Sequence, residues 1–96
     1  YLDNRNSLYA AQYGKCAITG KHLLKHEIHC HHKTPKRYGG DDRYENLIIV
    51  HSDVHALIHA KTRETIERYM CLVQPTKKQL KKLNKLRTLA KLPEFA

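Results

Sequence analysis

No stretch of the sequence is apolar for long enough to span or anchor in a membrane, and no signal-peptide pattern is present. Cysteine is scarce. Cys16, Cys30 and Cys71 are odd in number and form no CxxC pair, so no disulfide framework is expected and the setting reads as reducing, intracellular and cytoplasmic. Acidic residues are few, 9 against 18 lysines and arginines, which leaves a formal charge of +9. That imbalance fits a polyanionic partner, most commonly nucleic acid, and no membrane partner is expected. An opening methionine is also absent, and Tyr1-Leu2-Asp3 reads as a cut through a longer polypeptide. With 96 residues the chain is expected to form one domain, burying roughly two-thirds of its unfolded surface. Its core should be thin, so a bound metal would help to hold the fold.

The chain shows no internal repeat, and its punctuation is clear. Asp3 to Tyr13 reads as a helix with Leu2, Leu8, Tyr9 and Tyr13 available for packing and Gly14 as its stop. Cys16 to Gly20 reads as a turn. Glu27 to His31 alternates enough for a short strand, and Pro35 with Gly39-Gly40 marks a loop. Leu47 to Val50 is a β-branched apolar run and therefore a buried strand. Ser52 is placed to cap a helix from Asp53 to about Tyr69, with an apolar stripe of Val54, Leu57, Ile58, Ile66, Tyr69 and Met70. Thr76 with Gln79 forms a capping box, and Leu80, Leu83, Leu86 and Leu89 line a last, basic helix over about 77–91. Its lysines read as a solvated face or as phosphate contacts. Cys71 reads as a small apolar core residue.

Against these scarcities stand eight histidines, six of them between Ile28 and Ala60. His55 and His59 lie four residues apart on the expected helix, which brings their Cβ atoms within roughly 5–6 Å on one face. Two imidazoles at that spacing can chelate one ion; the alternative is two histidines on a polar face. His31-His32 closes the first strand. Neighbouring strand residues point to opposite sides, so both reach one site only where the strand ends or bulges, and Lys33-Thr34-Pro35 makes an end natural. One histidine could then bind metal while the other acts as base; the alternative is one buried and one exposed histidine. Asn46, just before the buried strand, could tie the intervening loop together through its amide.

The pattern His31-His32-x-x-Pro35, Gly39-Gly40, Asn46-Leu47, His55 and His59 resembles the HNH nuclease motif. The resemblance covers about Cys16 to Ala60 and implies a small α+β fold. That fold is a ββα-metal core over about 16–70 with flanking N- and C-terminal helices. The wording is most similar to the C-terminal HNH domain of group II intron reverse transcriptase/maturase proteins. Gly14-Lys15-Cys16 with Thr19-Gly20 resembles their lead-in, and Lys82-Leu83-Asn84-Lys85-Leu86-Arg87 with Pro93-Glu94 resembles their ending. By this resemblance His32 is the general base and His31, His55 and His59 hold one divalent metal ion (Mg, Mn, Ni or Zn). Asn46 in the family either holds the base-bearing loop or joins the metal, and the loop role is expected here because three histidines already supply enough ligands. Many relatives carry aspartate at the position of His31; the histidine version resembles colicin-type nucleases and leaves the site without a protein carboxylate. Many also carry two CxxC pairs around a structural zinc. Here Cys16 and His51 stand beside Thr19 and Val54 instead, so a second, structural zinc is not expected.

The resemblance implies a metal-dependent DNA endonuclease that nicks one strand of a double-stranded DNA target. Lys33, Lys36, Arg37 and Arg43 flank the site as candidate phosphate-binding residues. In intron mobility the freed 3′-hydroxyl would prime reverse transcription, and intron RNA would be met only through the parent protein. A rival class is a non-catalytic, metal-stapled nucleic-acid-binding module. A zinc staple uses four ligands and leaves no free base, which sets His32 as the discriminating residue. A metalloprotease is a poor third reading, because His55-Ala56-Leu57-Ile58-His59 lacks the glutamate base. The charge balance makes a direct prediction. Affinity for duplex DNA should fall on the order of 10³-fold between about 50 and 200 mM salt when about six phosphates are neutralised, with little sequence preference. An affinity that stays flat over that range in a filter-binding titration would contradict the electrostatic reading.

Overall fold

Four consecutive apolar residues, Leu47 to Val50, cannot all turn to one side of a strand, so a strand built from them needs cover on both faces. The computed structural model, which describes residues 1–96, has that cover. Strands β1 (Ile28–His32) and β2 (Leu47–His51) form an antiparallel hairpin with His31 opposite Ile48 and His32 opposite Leu47. Helix α1 (Leu2–Ala11) packs on β2 from the side to which His32 turns, and α2 (Ser52–His59) covers the side to which His31 turns. Helices α3 (Arg63–Val73) and α4 (Lys77–Leu89) pack against α2. The strand–strand–helix order is therefore present, flanked by N- and C-terminal helices in a small α+β fold.

One cluster of 12 buried residues holds these elements together, centred on Leu47, Ile49, Val50, Val54, Leu57, Ile58 and Leu83. Only 16 of the 96 residues are buried. Each large aliphatic side chain contributes about 1.5–3 kcal/mol when fully buried, so so small a set leaves little reserve. Polar side chains therefore carry part of the assembly. The Gln12 amide bonds both backbone groups of Ile49, at 2.9 Å to its carbonyl and 3.1 Å from its N–H, and so completes the outer edge of β2 as another strand would.

Several sequence expectations are corrected. The first helix runs from Leu2 to Ala11 rather than from Asp3 to Tyr13, and of the residues expected to pack only Leu8 is buried; Leu2, Tyr9 and Tyr13 are exposed. Strand β1 is shifted by one residue, because Glu27 belongs to a 3₁₀ turn tied by its own side chain to the Leu24 N–H. His51, not Ser52, caps α2, its Nδ1 accepting from the Asp53 N–H at 2.9 Å. The single helix expected over 53–69 is two helices. Ala60 turns extended after His59, and Thr62 starts α3 by accepting from the Thr65 N–H. Neither proline nor glycine marks this break. Cys71 and Leu89 are exposed, whereas the expected capping box at Thr76 and Gln79 is formed.

The break between α2 and α3 has a physical cause in Arg87. This side chain is 2% exposed and has no carboxylate partner. Its Nη1 donates to the carbonyls of Leu57, Ile58 and Ala60, at 3.3, 3.0 and 2.7 Å, and its Nε donates to Pro93 at 2.7 Å. A guanidinium at a helix C-terminus satisfies free carbonyls and meets the negative end of the helix dipole. Phe95 closes over it at 3.9 Å from the ring centre, and Asn84 pins the Phe95 backbone. Arg87→Met keeps the aliphatic volume and strands these carbonyls, so the unfolding free energy in urea should fall by about 2–4 kcal/mol. Arg87→Lys should recover only part of it, lacking the planar fork. An unchanged urea midpoint in the methionine variant would remove this role.

Candidate metal centre

Strand alternation decides which histidines meet. His29 and His31 share the face of β1 that looks at α2, and His55 and His59 share the face of α2 that looks back. The rings of His31, His55 and His59 lie 4.8–5.1 Å apart centre to centre. One ring nitrogen from each falls within 4.8 Å of the others. An ion bound at about 2.1 Å from each nitrogen would draw the three somewhat closer together.

The chemistry of this trio fits a metal. His31 is 1% exposed, and its Nε2 is a buried polar atom with no hydrogen-bond partner. Such an atom costs about 1–3 kcal/mol left unmet. Burial pushes the His31 pKa down to about 3, helped by the neighbouring His55 and His59. Burial lowers His55 to about 4, with His59 and His29 adding to it. His59 is lowered as well, first by burial and then by Arg37, Lys61 and Arg87. At neutral pH the site therefore offers lone pairs rather than protons, as ligation requires.

A fourth histidine, unassigned by sequence reasoning, supports the trio. His29 Nδ1 lies 2.9 Å from His55 Nδ1, so one of the two carries the hydrogen. With His55 ligating through Nε2, its Nδ1–H donates to His29, the usual arrangement by which a second residue fixes a ligand's tautomer. The signal in the sequence was His29 standing two residues before His31, on the same side of a strand.

His32 lies elsewhere. It closes β1 on the α1 side, where the Tyr1 ring stacks on it at 5.8 Å and its Nε2 meets Asp42 Oδ1 at 2.7 Å. The strand ends there without a bulge. The His32 ring nevertheless borders, with His31, His55, His59 and Lys36, one cleft of about 240 Å³ at the end of the strand.

Asn46 does not reach the trio. Its Oδ1 accepts from the Thr34 N–H at 2.9 Å, and its Nδ2 donates to the carbonyls of Thr34 and Asp41 at 3.1 and 2.8 Å. The amide is spent on closing the loop 33–46, as its position before the strand suggested. Gly40 is required in that loop, because a Cβ there would stand 1.7 Å from the Thr34 carbonyl oxygen.

The four flanking cations divide. Lys36 lines the cleft and bonds Asp42, with its Nζ 3.2 Å from Oδ1. Arg37 lies over the Tyr38 ring and is near enough to His59 to lower its pKa. Arg43 pairs instead with Asp41 at 3.2 Å and lines a separate hollow with Glu45 and Asn46. Lys33 is half-buried at the end of β1, outside the cleft lining. Cys16 is enclosed in the core, and His51 is engaged by Glu27 and the start of α2.

No family model matches the chain, and no curated protein or solved structure matches it either. The geometry nevertheless sets a pH dependence. Folded pKa values depressed below the ordinary 6.5 of histidine mean that the unfolded chain binds more protons. The stability contributed by neutral His31 and His55 is complete above about pH 6.5 and is lost as pH falls towards 4 and then 3. Zn²⁺ at about 100 times its dissociation constant should add about 2.7 kcal/mol near neutral pH, a rise of roughly 10–20 °C in Tm. His59→Ala should abolish most of that rise. A metal-independent melting curve for the parent would refute the centre.

Proposed function

We propose that the chain is a metal-dependent endonuclease that hydrolyses one strand of duplex DNA. The observation that carries this reading is the division of the adjacent histidines. His31 turns into the trio, while His32 keeps its ring free of the trio and faces the same cleft. A structural zinc uses four protein ligands, whereas a site with three imidazoles and an open position has the composition of a catalytic one. An all-nitrogen donor set favours Zn²⁺ or Ni²⁺ over Mn²⁺ and Mg²⁺, which prefer carboxylate and water oxygen.

A bound ion would supply Lewis-acid contact with the scissile phosphate and stabilise the charge on the departing oxygen. The remaining work falls to the chain. His32, in its neutral form, takes a proton from water as the water oxygen bonds to phosphorus. The bond from phosphorus to the 3′ oxygen breaks in line, and that oxygen gains a proton from solvent, leaving 5′-phosphate and 3′-hydroxyl ends. Lys36 and Arg37 stand where they can grip the phosphates of the cut strand. The resemblance of His31-His32, Asn46, His55 and His59 to the HNH motif of group II intron proteins supports a wider role. In that role the nick opens the second strand of an intron's DNA target and leaves the primer for reverse transcription.

The test compares parent, His31→Ala and His32→Ala for plasmid nicking, metal content and DNA affinity, with EDTA, Mg²⁺, Mn²⁺, Ni²⁺ and Zn²⁺ in parallel. His32→Ala should lose about 10²–10⁴-fold in nicking rate while metal and DNA binding hold. His31→Ala should lose metal and activity together. An undiminished rate in His32→Ala sinks this mechanism. Loss of metal or fold in His32→Ala, with no nicking by the parent, would favour the non-catalytic binding module instead.

A further inference from the structure

Beside the cleft, in contact with two of its lining residues, His32 and Lys36, lies one carboxylate that the nuclease reading leaves unused. Asp42 Oδ1 lies 2.7 Å from His32 Nε2, the shorter of the two histidine–carboxylate contacts under 3 Å in the chain. The loop 33–46 is built to deliver it. Asn46 ties Thr34 to Asp41, Gly40 admits the close pass of the Thr34 carbonyl, and Asn4 of α1 donates to the Asp42 carbonyl at 2.9 Å. Asp42 is thus held through its own backbone and the residue before it, from two separate elements.

An ionised carboxylate accepts hydrogen bonds and donates none. Asp42 is held below the usual carboxylate range, chiefly by its bond to His32 and also by Lys36, so as a carboxylate it is the acceptor in that 2.7 Å bond. The hydrogen of that bond then sits on His32 Nε2. In a neutral imidazole the other nitrogen, Nδ1, is left as the lone-pair atom.

We propose that Asp42 is the positioning residue of the proposed nuclease site: it holds the Nε2 hydrogen of His32 and so fixes Nδ1 as the atom that takes the proton from water. The proposal rests on the nuclease reading and adds to it the atom, the tautomer and the residue that sets both. As His32 becomes imidazolium, the negative carboxylate 2.7 Å from Nε2 stabilises the charge that forms. Tyr1, nearly parallel to the imidazole at 8°, packs against its face and restricts the ring's tilt. Lys36 shares the carboxylate, with its Nζ 3.3 Å from Oδ2, so a phosphate arriving at the cleft would meet Lys36 beside the base rather than bare Asp42.

The experiment measures nicking kinetics and histidine tautomers in the parent and in Asp42→Asn, using the full chain with the metal ion that supports most nicking. Asp42→Asn can present either its oxygen or its amide to His32, so it no longer enforces one tautomer. Its kcat should fall about 10–100-fold while KM and metal affinity stay within about twofold, a fraction of what the base itself contributes. Long-range ¹H–¹⁵N spectra should show His32 of the parent with its hydrogen on Nε2, and a mixture in the variant. Asp42→Glu, which keeps the charge, should recover part of the rate. Equal kcat in parent and Asp42→Asn, or a parent His32 protonated on Nδ1, would overturn the proposal while leaving the nuclease reading standing. A parent that nicks with none of the ions would overturn the nuclease reading, and this proposal with it.

Discussion

An imidazole nitrogen removed from water has to find a partner, and His31 Nε2 is enclosed with none from the protein. The hairpin and α2 could have avoided this by placing an apolar residue at the centre of their contact. They instead bring two more imidazoles to the same point and leave all three neutral at physiological pH. Burying a polar group without a partner destabilises a domain whose core is already thin, so the arrangement makes physical sense as half of a ligand set. The metal that completes it would join β1 to both turns of α2, the contact through which the core passes. Fold and site are thus one structure, and an ion that serves chemistry would also staple the hairpin to its helix.

The rest of the molecule can be understood as support for that contact. His51 and its partner Glu27 fix the start of α2, and Arg87 fixes the end beside His59. A helix of eight residues is too short to be stable by itself, so both ends are held by side chains from other parts of the chain. On the other side of the hairpin, Asn46, Gly40 and Asn4 do the same for the loop that carries Asp42. Two neighbouring residues of one strand, His31 and His32, are in this way served by separate supporting networks on opposite faces. That separation is what allows one to be enclosed within the histidine trio and the other to keep a solvent-accessible ring.

Much of this was legible before any coordinates. The four-residue spacing of His55 and His59, the end of a strand at His31-His32 and the apolar run at Leu47 led to two strands, the start of a helix and one candidate ligand pair. That His31 rather than His32 joins that pair came from the resemblance to the HNH motif. What was not legible has common causes. The end of α2 is set by Arg87, some thirty residues downstream, and no local breaker announces it. His29 and Asp42 matter only through partners across the fold, His55 and His32, so neither stands out in a linear reading. Tyr9, Tyr13, Cys71 and Leu89 have the side chains of core residues, but a domain this small has more apolar positions than interior to hold them. Among the basic residues, Lys36 and Arg43 could not be told apart by charge; the loop turns one to the cleft and the other to Asp41.

The central claim is that His31, His55 and His59 form a metal site from which His32 stands apart. Long-range ¹H–¹⁵N correlation spectra of the imidazoles, recorded near neutral pH with and without one equivalent of Zn²⁺, read every ring nitrogen separately. On metal addition one nitrogen each of His31, His55 and His59 should move to a coordinated shift, Nε2 in the first two, while both nitrogens of His32 stay uncoordinated. A His31 spectrum indifferent to zinc, or a His32 nitrogen that becomes coordinated with the others, would contradict the account.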